Sequence, residues 1–412
     1  MSSSTLISPN KIVDSSSKIP SVGRLYSIDV FRAITMLLMV FVNDLWSLEG
    51  YPEWLGHASA DEDRLGMSDI VFPAFLLIVG LSIPYAIRNR LKKGDSKPQL
   101  AIHIMLRSLA LLVMGIFHVN LESYSTSAPL SKPLWQILIT IAFFLIWMDY
   151  PRTWTRVKRY LPQSIGVLML LALAFLYEGG SLDSPTGMQT HWYGILGLIG
   201  WSYLICSMFF LLTNGKVGAQ ALAFLFFMAF NALEKLGYLD VLSPIRQYIW
   251  IVGNGSMPAF TMAGIVVSIY YHKWFSAGKP SQFWIMLSAS AVVMLGYGLV
   301  TRPIWGIHKL GASPSWVALC IGISILAFGL LIWLVDIKEK KDWFRWIRPA
   351  GTSTLTCYLI PYIHYAIYTM IGISLPIFLR SGIFGIFKCL VYAFLVVLLT
   401  GVLEKYRIRL KI

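Results

Sequence analysis

Charged residues are scarce in this 412-residue chain, which carries 34 lysines and arginines and 20 aspartates and glutamates, together 13% of the total. Hydrophobic residues make up 57%, and the mean hydropathy is +0.66, well above the balance of a soluble globular protein. The composition therefore excludes an ordinary soluble enzyme and indicates an integral membrane protein.

Several motifs of well-known chemistry are missing. No HExxH or HxxxH pair suggests a metal site, and neither a GxSxG elbow nor a phosphate-binding P-loop is present. There is no CxxC pair, so neither a zinc site nor a disulfide framework is indicated. The first apolar run is too long for a signal peptide and lacks a small-residue cleavage site. The four cysteines, interpreted as packing residues, all lie in apolar runs: Cys206, Cys320, Cys357 and Cys389.

Apolar runs long enough to cross about 30 Å of hydrocarbon as helices recur along nearly the whole chain. They predict an all-α polytopic membrane protein with about 10 to 12 transmembrane helices. The fifth and seventh runs are short or closely joined to a neighbour, so both counts stay open. The runs cover residues 29–47, 69–87, 101–118, 133–149, 163–177, 195–213, 217–233, 250–271, 283–300, 314–335, 351–372 and 383–403.

Most lysines and arginines outside the runs lie in alternate segments on the side of the N-terminus. Because cytoplasmic loops hold the excess of positive charge, both termini are predicted to be cytoplasmic. This bias also accounts for the net charge of +14 without a nucleic-acid partner. We predict a disordered tail over 1–28, a transmembrane domain over 29–403 and a basic cytoplasmic tail over 404–412.

The first apolar run carries polar side chains on one face. At 100° per residue, Arg32 and Asn43 lie about 20° apart around the helix, and Asp29 lies within about 60° of both. Along the axis the two residues are roughly 16 Å apart, which suits an elongated ligand with its anionic end inside and its reactive end outside. Two plainer interpretations stay open: Asp29 and Arg32 form an interfacial ion pair, and Asn43 makes an interhelical hydrogen bond.

The stretch WLGHASADEDRLGMSD, residues 54–69, is an acidic cluster between the first two runs and is predicted to face outside. His57 is a candidate base, although a lone histidine in an acidic loop is more often solvated or capping. Asp69 opens the second run, where an N-terminal helix cap is the plain interpretation and orientation of His57 is the functional one.

Other polar residues are predicted near the same outer face. Each is open to an interpretation as ordinary loop chemistry, but together they form a candidate substrate-binding set. They are His118, Asn120, Asn254, His308 and Lys309, with Ser256 and Arg302 nearby.

Several sequence segments, taken in chain order, resemble a known family. SIDVFRAITMLLMVFVN, then His57-Ala58, then GMSDIVFPAFLLIVGLSI resembles the heparan-alpha-glucosaminide N-acetyltransferase family of transmembrane acyltransferases and its bacterial relatives. LRSLALLVMGIFHVN, LWQILITIAFFLIW, IHKLGASPSWVALCIGISILAFGLLIWLVDI and GTSTLTCYL are similar to later blocks of that family. The chain departs from the family in three places. The family's Trp-Asn-Gly after His-Ala is missing, and the stretch Ser59 to Arg64 carries four charged residues instead. His308 replaces an asparagine, and Ile137 replaces an arginine.

The resemblance implies that an acetyl group moves from cytosolic acetyl-CoA to an amino sugar or glycan across the membrane. By motif position, the reaction centre would contain His57 and Asn43, with Asp69 matching the family's aspartate. The side chains assigned to acetyl-CoA are Asp29, Arg32, Arg107 and Gln136. The resemblance also implies a possible homodimer, and the short N-terminal tail favours a bacterial cytoplasmic membrane.

The chemistry of acyl transfer fits these residue types. A histidine takes the acceptor proton, a carboxylate fixes its tautomer, and the Asn43 amide stabilises the oxyanion. Direct transfer and an acetyl-histidine intermediate both remain open, as do the acceptor and N- versus O-acetylation. A secondary transporter of a small polar or sugar-like solute is the main alternative, and a non-catalytic scaffold is the third.

Overall fold

The structure is a computed structural model that describes residues 25–412 except 152, 182, 183, 247 and 251. Within these residues the chain is a bundle of helices with one two-stranded hairpin. The predicted tail over residues 1–24 lies outside the described residues. Residues 26–28, which we assigned to that tail, instead form the first turn of a helix.

The fourteen α-helices of the described residues follow in chain order. The first seven are α1 Tyr26–Asp44, α2 Ser68–Lys92, α3 Lys97–Val119, α4 Lys132–Trp147, α5 Arg156–Phe175, α6 Ile195–Leu212 and α7 Val217–Lys235. The others are α8 Ser243–Arg246, α9 Ser256–Ser276, α10 Pro280–Trp305, α11 Pro314–Leu331, α12 Arg348–Thr352, α13 Thr354–Ile371 and α14 Gly382–Lys405. Strands β1 Gly179–Ser181 and β2 Ser184–Thr186 pair antiparallel between α5 and α6.

The long helices lie where the apolar runs predict them. Apart from the short α8 and α12, each helix of the described residues overlaps one of the twelve runs. In the part of the chain that the structure describes, seven helices are long and apolar enough to cross a membrane: α2, α3, α6, α7, α10, α14, and α11 with its continuation to Ile337. The predicted all-α polytopic membrane protein is therefore confirmed, whereas the cytoplasmic placement of the termini stays a prediction.

Helix α1 is packed on several sides although it carries charged residues. It lies against α2, α11, α12, α13 and α14. Its N-terminus is capped by a residue that is distant in the sequence. The Asp336 carboxylate accepts the backbone N–H groups of Tyr26 at 3.1 Å and Ser27 at 3.4 Å. Asp336 lies in the π-helical continuation of α11, Ile332–Ile337. This contact fixes the start of α1, on which both Arg32 and Asn43 depend.

Helices α2 and α9 approach each other through two glycines. A Cβ atom at Gly80 would collide with the Thr261 carbonyl oxygen, and one at Gly264 would collide with the Leu77 carbonyl oxygen. Small residues allow membrane helices to pack backbone to backbone. This contact holds α2, which begins next to His57, against the centre of the bundle.

The last residues fold back instead of extending as a free tail. Beyond α14, residues 408–412, here called the strap, lie against the α4–α5 connection. Lys411 donates its backbone N–H to the Trp147 carbonyl at 2.8 Å, and Asp149 donates its own to the Arg409 carbonyl at 2.9 Å. The segment that we predicted as a basic tail is thus partly a wall of the bundle.

Candidate active site

His57 lies in a short loop, residues 56–67, that leads into α2. Its Nδ1 is 2.7 Å from Oδ1 of Asp69, whose side chain is 1% exposed, while that of His57 is 47% exposed. The second oxygen of Asp69 accepts the backbone N–H groups of Ala58 and Gly66, each at 3.0 Å. Asp69 is therefore not the N-cap of α2; its carboxylate closes the His57 loop and holds the imidazole.

Lys309 reaches the same pair from the connection between α10 and α11, residues 306–313, here called the Lys309 loop. Its Nζ lies 2.9 Å from His57 Nδ1, 3.4 Å from Nε2 and 3.7 Å from Asp69 Oδ1. Burial lowers the pKa of Lys309 and the charge of Asp69 opposes this, with the pKa remaining below its usual value. Three ionisable groups from two distant segments thus meet at one point.

The tautomer of His57 decides what this cluster can do. With its proton on Nδ1, the ring donates to Asp69 and keeps the lone pair of Nε2 for a substrate. The arrangement is that of a general base oriented by a carboxylate.

Asn43 faces a separate cavity near the end of α1. This Asn43 cavity has a volume of about 210 Å³ and is also lined by Gln136, Tyr362 and Tyr365. His57 is not among its lining residues. The structure therefore places the two predicted centre residues at the same end of the α1–α2 pair but in different surroundings.

Two larger cavities follow α1 toward its start. The Arg107 cavity, about 400 Å³, is lined by Arg32, Arg107 and Lys411 among others. The Arg32 cavity has a volume of about 750 Å³ and lies at the opposite end of α1 and α2 from His57. Its polar and charged lining residues are Asp29, Arg32, Ser82, Tyr85, Arg88, Asn89, Lys92 and His272.

The three cavities share walls. Arg32 lines both the Arg32 cavity and the Arg107 cavity, and Tyr358 lines both the Arg107 cavity and the Asn43 cavity. Along α1 the lining residues include Ile28, Arg32, Met36, Met39 and Asn43, which recur every three or four positions and so share one helical face. The polar face predicted from the sequence thus borders three cavities that share lining residues.

The residues that we assigned to the acetyl donor separate into two groups. Arg32 binds Ser82 Oγ at 2.6 Å and lies 3.5 Å from Asp29, so the ion pair offered as the plainer interpretation is present within the cavity wall. In the part of the chain that the structure describes, the buried Nε of Arg107 has no hydrogen-bond partner, and its guanidinium lies 4.9 Å from the Tyr203 ring centre. Gln136 instead lies with Asn43.

The five predicted substrate-binding residues do not form one site, and two have structural contacts. Asn120 is fully buried: its amide donates to the carbonyls of Ile116 and Gln189 and accepts the Gln189 N–H. Asn254 accepts from the backbone and hydroxyl of Ser256 at the start of α9. Hydrogen-bonding side chains are enriched at helix ends and loop anchors, which explains these positions without a ligand.

The other three differ in their access to the site. His118 is buried and stacks on Tyr362, with ring centroids 4.0 Å apart, so it lies behind the Asn43 cavity. His308 donates its backbone N–H to Ser313 Oγ at 3.0 Å. Only Lys309 contacts the predicted centre.

Sequence reasoning missed a second charged cluster beside Asn43. Asp44 is buried, accepts from Tyr365 Oη at 2.8 Å and pairs with Lys388 Nζ at 2.9 Å. The signal was available in part, because Asp44 and Lys388 are charges in apolar runs. Tyr365 gave no signal, since a tyrosine in an apolar run is typical of core packing.

Across the described residues, no three histidine, cysteine or carboxylate side chains cluster as a metal site would require. The four cysteines are buried and free.

Comparisons with known proteins confirm the resemblance. The profile of a family described as a domain of unknown function (DUF5009) matches residues 24–237. Heparan-alpha-glucosaminide N-acetyltransferase from Homo sapiens is 42% identical over 98 residues, and the Mus musculus protein of that name is 36% identical over 104 residues. Each match covers 24% of this chain, and the chain spans only 14% of the length of each relative.

Proposed function

The chain belongs to the DUF5009 family, whose profile covers slightly more than half of it, and on this premise we propose that it is a membrane acetyltransferase. The observation that carries the proposal is the contact of His57 with Asp69 at 2.7 Å and with Lys309 at 2.9 Å. An oriented, half-exposed imidazole is the group that acyl transfer to an amine or hydroxyl requires.

The donor that we propose is acetyl-CoA, entering from the Arg32 cavity. The cationic residues Arg32, Arg88 and Lys92 line that cavity and suit the phosphates of a nucleotide. The unpartnered Nε of Arg107 offers a further donor in the next cavity. A pantetheine arm laid along the α1 face would carry the thioester toward Asn43.

The transfer itself breaks one bond and forms another. The acceptor nitrogen or oxygen attacks the thioester carbonyl carbon while His57 Nε2 takes the acceptor proton. The tetrahedral intermediate collapses with cleavage of the carbon–sulfur bond, and the imidazolium returns the proton to the thiolate. If His57 attacks first, Nε2 forms an acetyl-histidine as the carbon–sulfur bond breaks and the thiolate leaves. The acceptor then displaces the imidazole, whose freed Nε2 takes the acceptor proton and passes it to the thiolate.

Asn43 is proposed to stabilise the oxyanion with its amide N–H. Such donors contribute about 2.7 to 4 kcal/mol to transition-state stabilisation in other acyl transferases and hydrolases. Because His57 does not line the Asn43 cavity, this role requires the thioester to cross the gap between that cavity and the His57 loop. The proposal therefore predicts that bound donor brings the two groups together.

The acceptor that we propose is an amino sugar or glycan on the side of the His57 loop, opposite the donor. With acetyl-CoA cytosolic, that side is the outer one, and the membrane is the bacterial cytoplasmic membrane. A homodimer in the bilayer is part of the same proposal.

The test is transfer of labelled acetyl from acetyl-CoA to glucosamine and glycan fragments by purified protein in lipid nanodiscs. We expect transfer by the unmodified chain, loss of at least about 100-fold in His57→Ala, and normal transfer in His103→Ala. His103 lies on α3 outside the three cavities, so it is the matched control. Near-normal transfer by His57→Ala would contradict the proposed base; solute uptake without transfer by the unmodified chain would favour a transporter.

A further inference from the structure

A short basic segment follows the end of a membrane-spanning helix. The span that begins with α11 ends at Ile337, and residues 338–348, here called the basic segment, follow it directly and lead into α12. Because the basic segment begins where the span ends, it lies at the level of the lipid headgroups. It carries five cations against two carboxylates, Glu339 and Asp342. The cations are Lys338, Lys340, Lys341, Arg345 and Arg348.

The middle of the basic segment has one inward and one outward face. Residues Lys341–Ile347 form a 3₁₀ helix, in which side chains three positions apart lie one above the other. Phe344 packs against the core and Ile347 is buried, whereas Trp343 and Trp346 are 66% and 75% exposed. Tryptophan is enriched at the level of the headgroups, where its ring meets lipid and its N–H meets water. The outward face therefore fits the surface of a bilayer.

The cations of the basic segment are not neutralised by the protein. All five are exposed, and among the described residues none of them forms an ion pair. Lys340 Nζ instead lies 5.6 Å from the ring centre of Trp343, and Lys341 Nζ lies 5.2 Å from that of Tyr26. A ring face attracts an ammonium but takes up none of its hydrogen-bond acceptor sites, so these lysines keep N–H donors for a phosphate.

The basic segment is connected to the start of α1 through α12. A Cβ atom at Gly351 of α12 would lie 2.6 Å from the Asp29 carbonyl oxygen, so the two helices approach backbone to backbone. The Gly351 carbonyl also accepts from Arg32 Nη1 at 3.4 Å. Lys341 itself lies over Tyr26, the first residue of α1. A ligand that holds the basic segment therefore stabilises folded packing around α1.

We propose that the basic segment binds anionic phospholipids, whose headgroup phosphates pair with Lys340, Lys341 and Arg345. Clusters of about four to eight lysines and arginines next to a membrane helix are typical of binding to anionic lipid. Charge-assisted hydrogen bonds to phosphate supply the attraction, and the exposed tryptophans supply contact with the headgroup region. The lipid lies in the leaflet at the Arg32 end of the bundle. This binding does not depend on acetyl transfer.

The test is thermal unfolding of the full chain in dodecyl maltoside with added dioctanoyl phosphatidylglycerol. A ligand that binds only the folded chain stabilises it, and at about 100 times its Kd we expect the melting temperature to rise by about 3 °C. Dioctanoyl phosphatidylcholine has the same acyl chains and no net charge, so it should give a much smaller rise. Glycerol 3-phosphate tests whether a soluble phosphate is enough.

Charge removal within the basic segment should abolish most of this rise. The variant is Lys340→Gln/Lys341→Gln/Arg345→Gln, and its charge-preserving counterpart, Lys340→Arg/Lys341→Arg/Arg345→Lys, should keep the rise. If the first variant does not fold, Lys340→Gln/Lys341→Gln gives the same comparison with a smaller loss.

The matched control removes three cations from another exposed helix start. Arg156→Gln/Lys158→Gln/Arg159→Gln lowers the net charge by the same amount at the beginning of α5, and we expect it to keep the rise. Loss of the rise in this control as well would mean that net charge attracts the lipid and would overturn the proposed site.

Two further results would contradict the proposal. One is an equal rise with phosphatidylglycerol in the unmodified chain and in the Lys340→Gln/Lys341→Gln/Arg345→Gln variant. The other is a rise with glycerol 3-phosphate that this variant loses, which would identify a soluble phosphate compound rather than a lipid as the ligand. No acetyl transfer is measured, so failure of the proposed function leaves this test unaffected.

Discussion

At the scale of single residues, the Asp69 carboxylate is the centre of the proposed site. One of its oxygens holds the His57 ring, and the other accepts two backbone N–H groups that close the loop around it. A carboxylate that is 1% exposed keeps its charge at little cost only when such donors surround it. Orientation of the base and closure of the loop therefore depend on the same side chain.

Asp69→Asn tests this double role. The amide would turn an N–H group toward either His57 or the Ala58 and Gly66 donors, and leaving a buried donor unpaired costs about 1 to 3 kcal/mol. We expect a lower melting temperature and a loss of acetyl transfer larger than this destabilisation explains. Asp61→Asn is the matched control, and equal transfer by the two variants would contradict the orienting role.

The charged cluster beside Asn43 predicts a large effect on stability. Lys388→Met leaves the Asp44 charge buried with Tyr365 as its remaining side-chain donor, and breaking a buried pair in this way costs about 3 to 5 kcal/mol. Removing both charges in Asp44→Leu/Lys388→Met should recover much of the loss. Lys132→Met, at an exposed lysine of α4, serves as the control. Thermal unfolding in detergent measures all three; a stable Lys388→Met variant would show that the pair contributes little.

Residue-scale prediction from the sequence succeeded where a charge or amide interrupted an apolar pattern. Arg32 and Asn43 were placed on one face by helical periodicity, and the structure puts both along a series of cavities. The contact between His57 and Lys309 joins residues that lie 252 positions apart, and no periodicity within one segment reports such a contact. The same limit explains why Asn120 was assigned to a ligand although backbone groups bind its amide.

At the scale of elements, the crossing of α2 and α9 fixes where α2 begins and hence where Asp69 lies. Gly80→Ala is expected to push the helices apart, because the new methyl group collides with backbone that has no rotamer to change. Overpacking of this kind costs about 1 to 3 kcal/mol. Gly296→Ala on α10 adds the same methyl group where no atom lies within 4 Å, so it should be neutral or slightly stabilising. Equal melting temperatures would contradict the close crossing.

The strap predicts a pH-dependent contribution to stability. Burial raises the pKa of Asp149, whereas hydrogen bonds from Arg409 at 2.9 Å and Lys411 at 3.2 Å lower it. The lowering is the larger effect, so the pKa lies below its usual value. The stabilisation is therefore complete above the unfolded-state pKa of about 3.9 and is lost as the pH falls through the lowered native value. We expect Asp149→Asn to lower the melting temperature at pH 7 and to match the unmodified protein near pH 2. A difference that persists at low pH would mean that the ion pairs are not its source.

Element positions were predicted well because apolar runs are long and regular, as α6 and the run 195–213 illustrate. Element ends were predicted less well, since the run 163–177 begins after the first turns of α5, Arg156–Phe175. The strap was missed for a physical reason. Its basic residues resemble a solvated tail in sequence, whereas its attachment uses backbone groups of the α4–α5 connection.

At the scale of the whole molecule, the cavities and the His57 loop lie along one axis of the bundle. The Arg32 cavity lies where α1 begins and α2 ends, and the His57 loop lies where α1 ends and α2 begins. A donor bound at one end and an acceptor bound at the other would meet near Asn43 and His57. Under the proposed function, this arrangement would carry an acetyl group from one side of the membrane to the other.

The most direct test is a sidedness measurement in proteoliposomes of defined protein orientation. Labelled acetyl-CoA is supplied on one side and an impermeant amino-sugar acceptor on the other, with His57→Ala as the inactive control. We expect labelled product only when acetyl-CoA faces the Arg32 end and the acceptor faces the His57 loop. Product formed with both substrates on one side and absent in the opposed arrangement would contradict it.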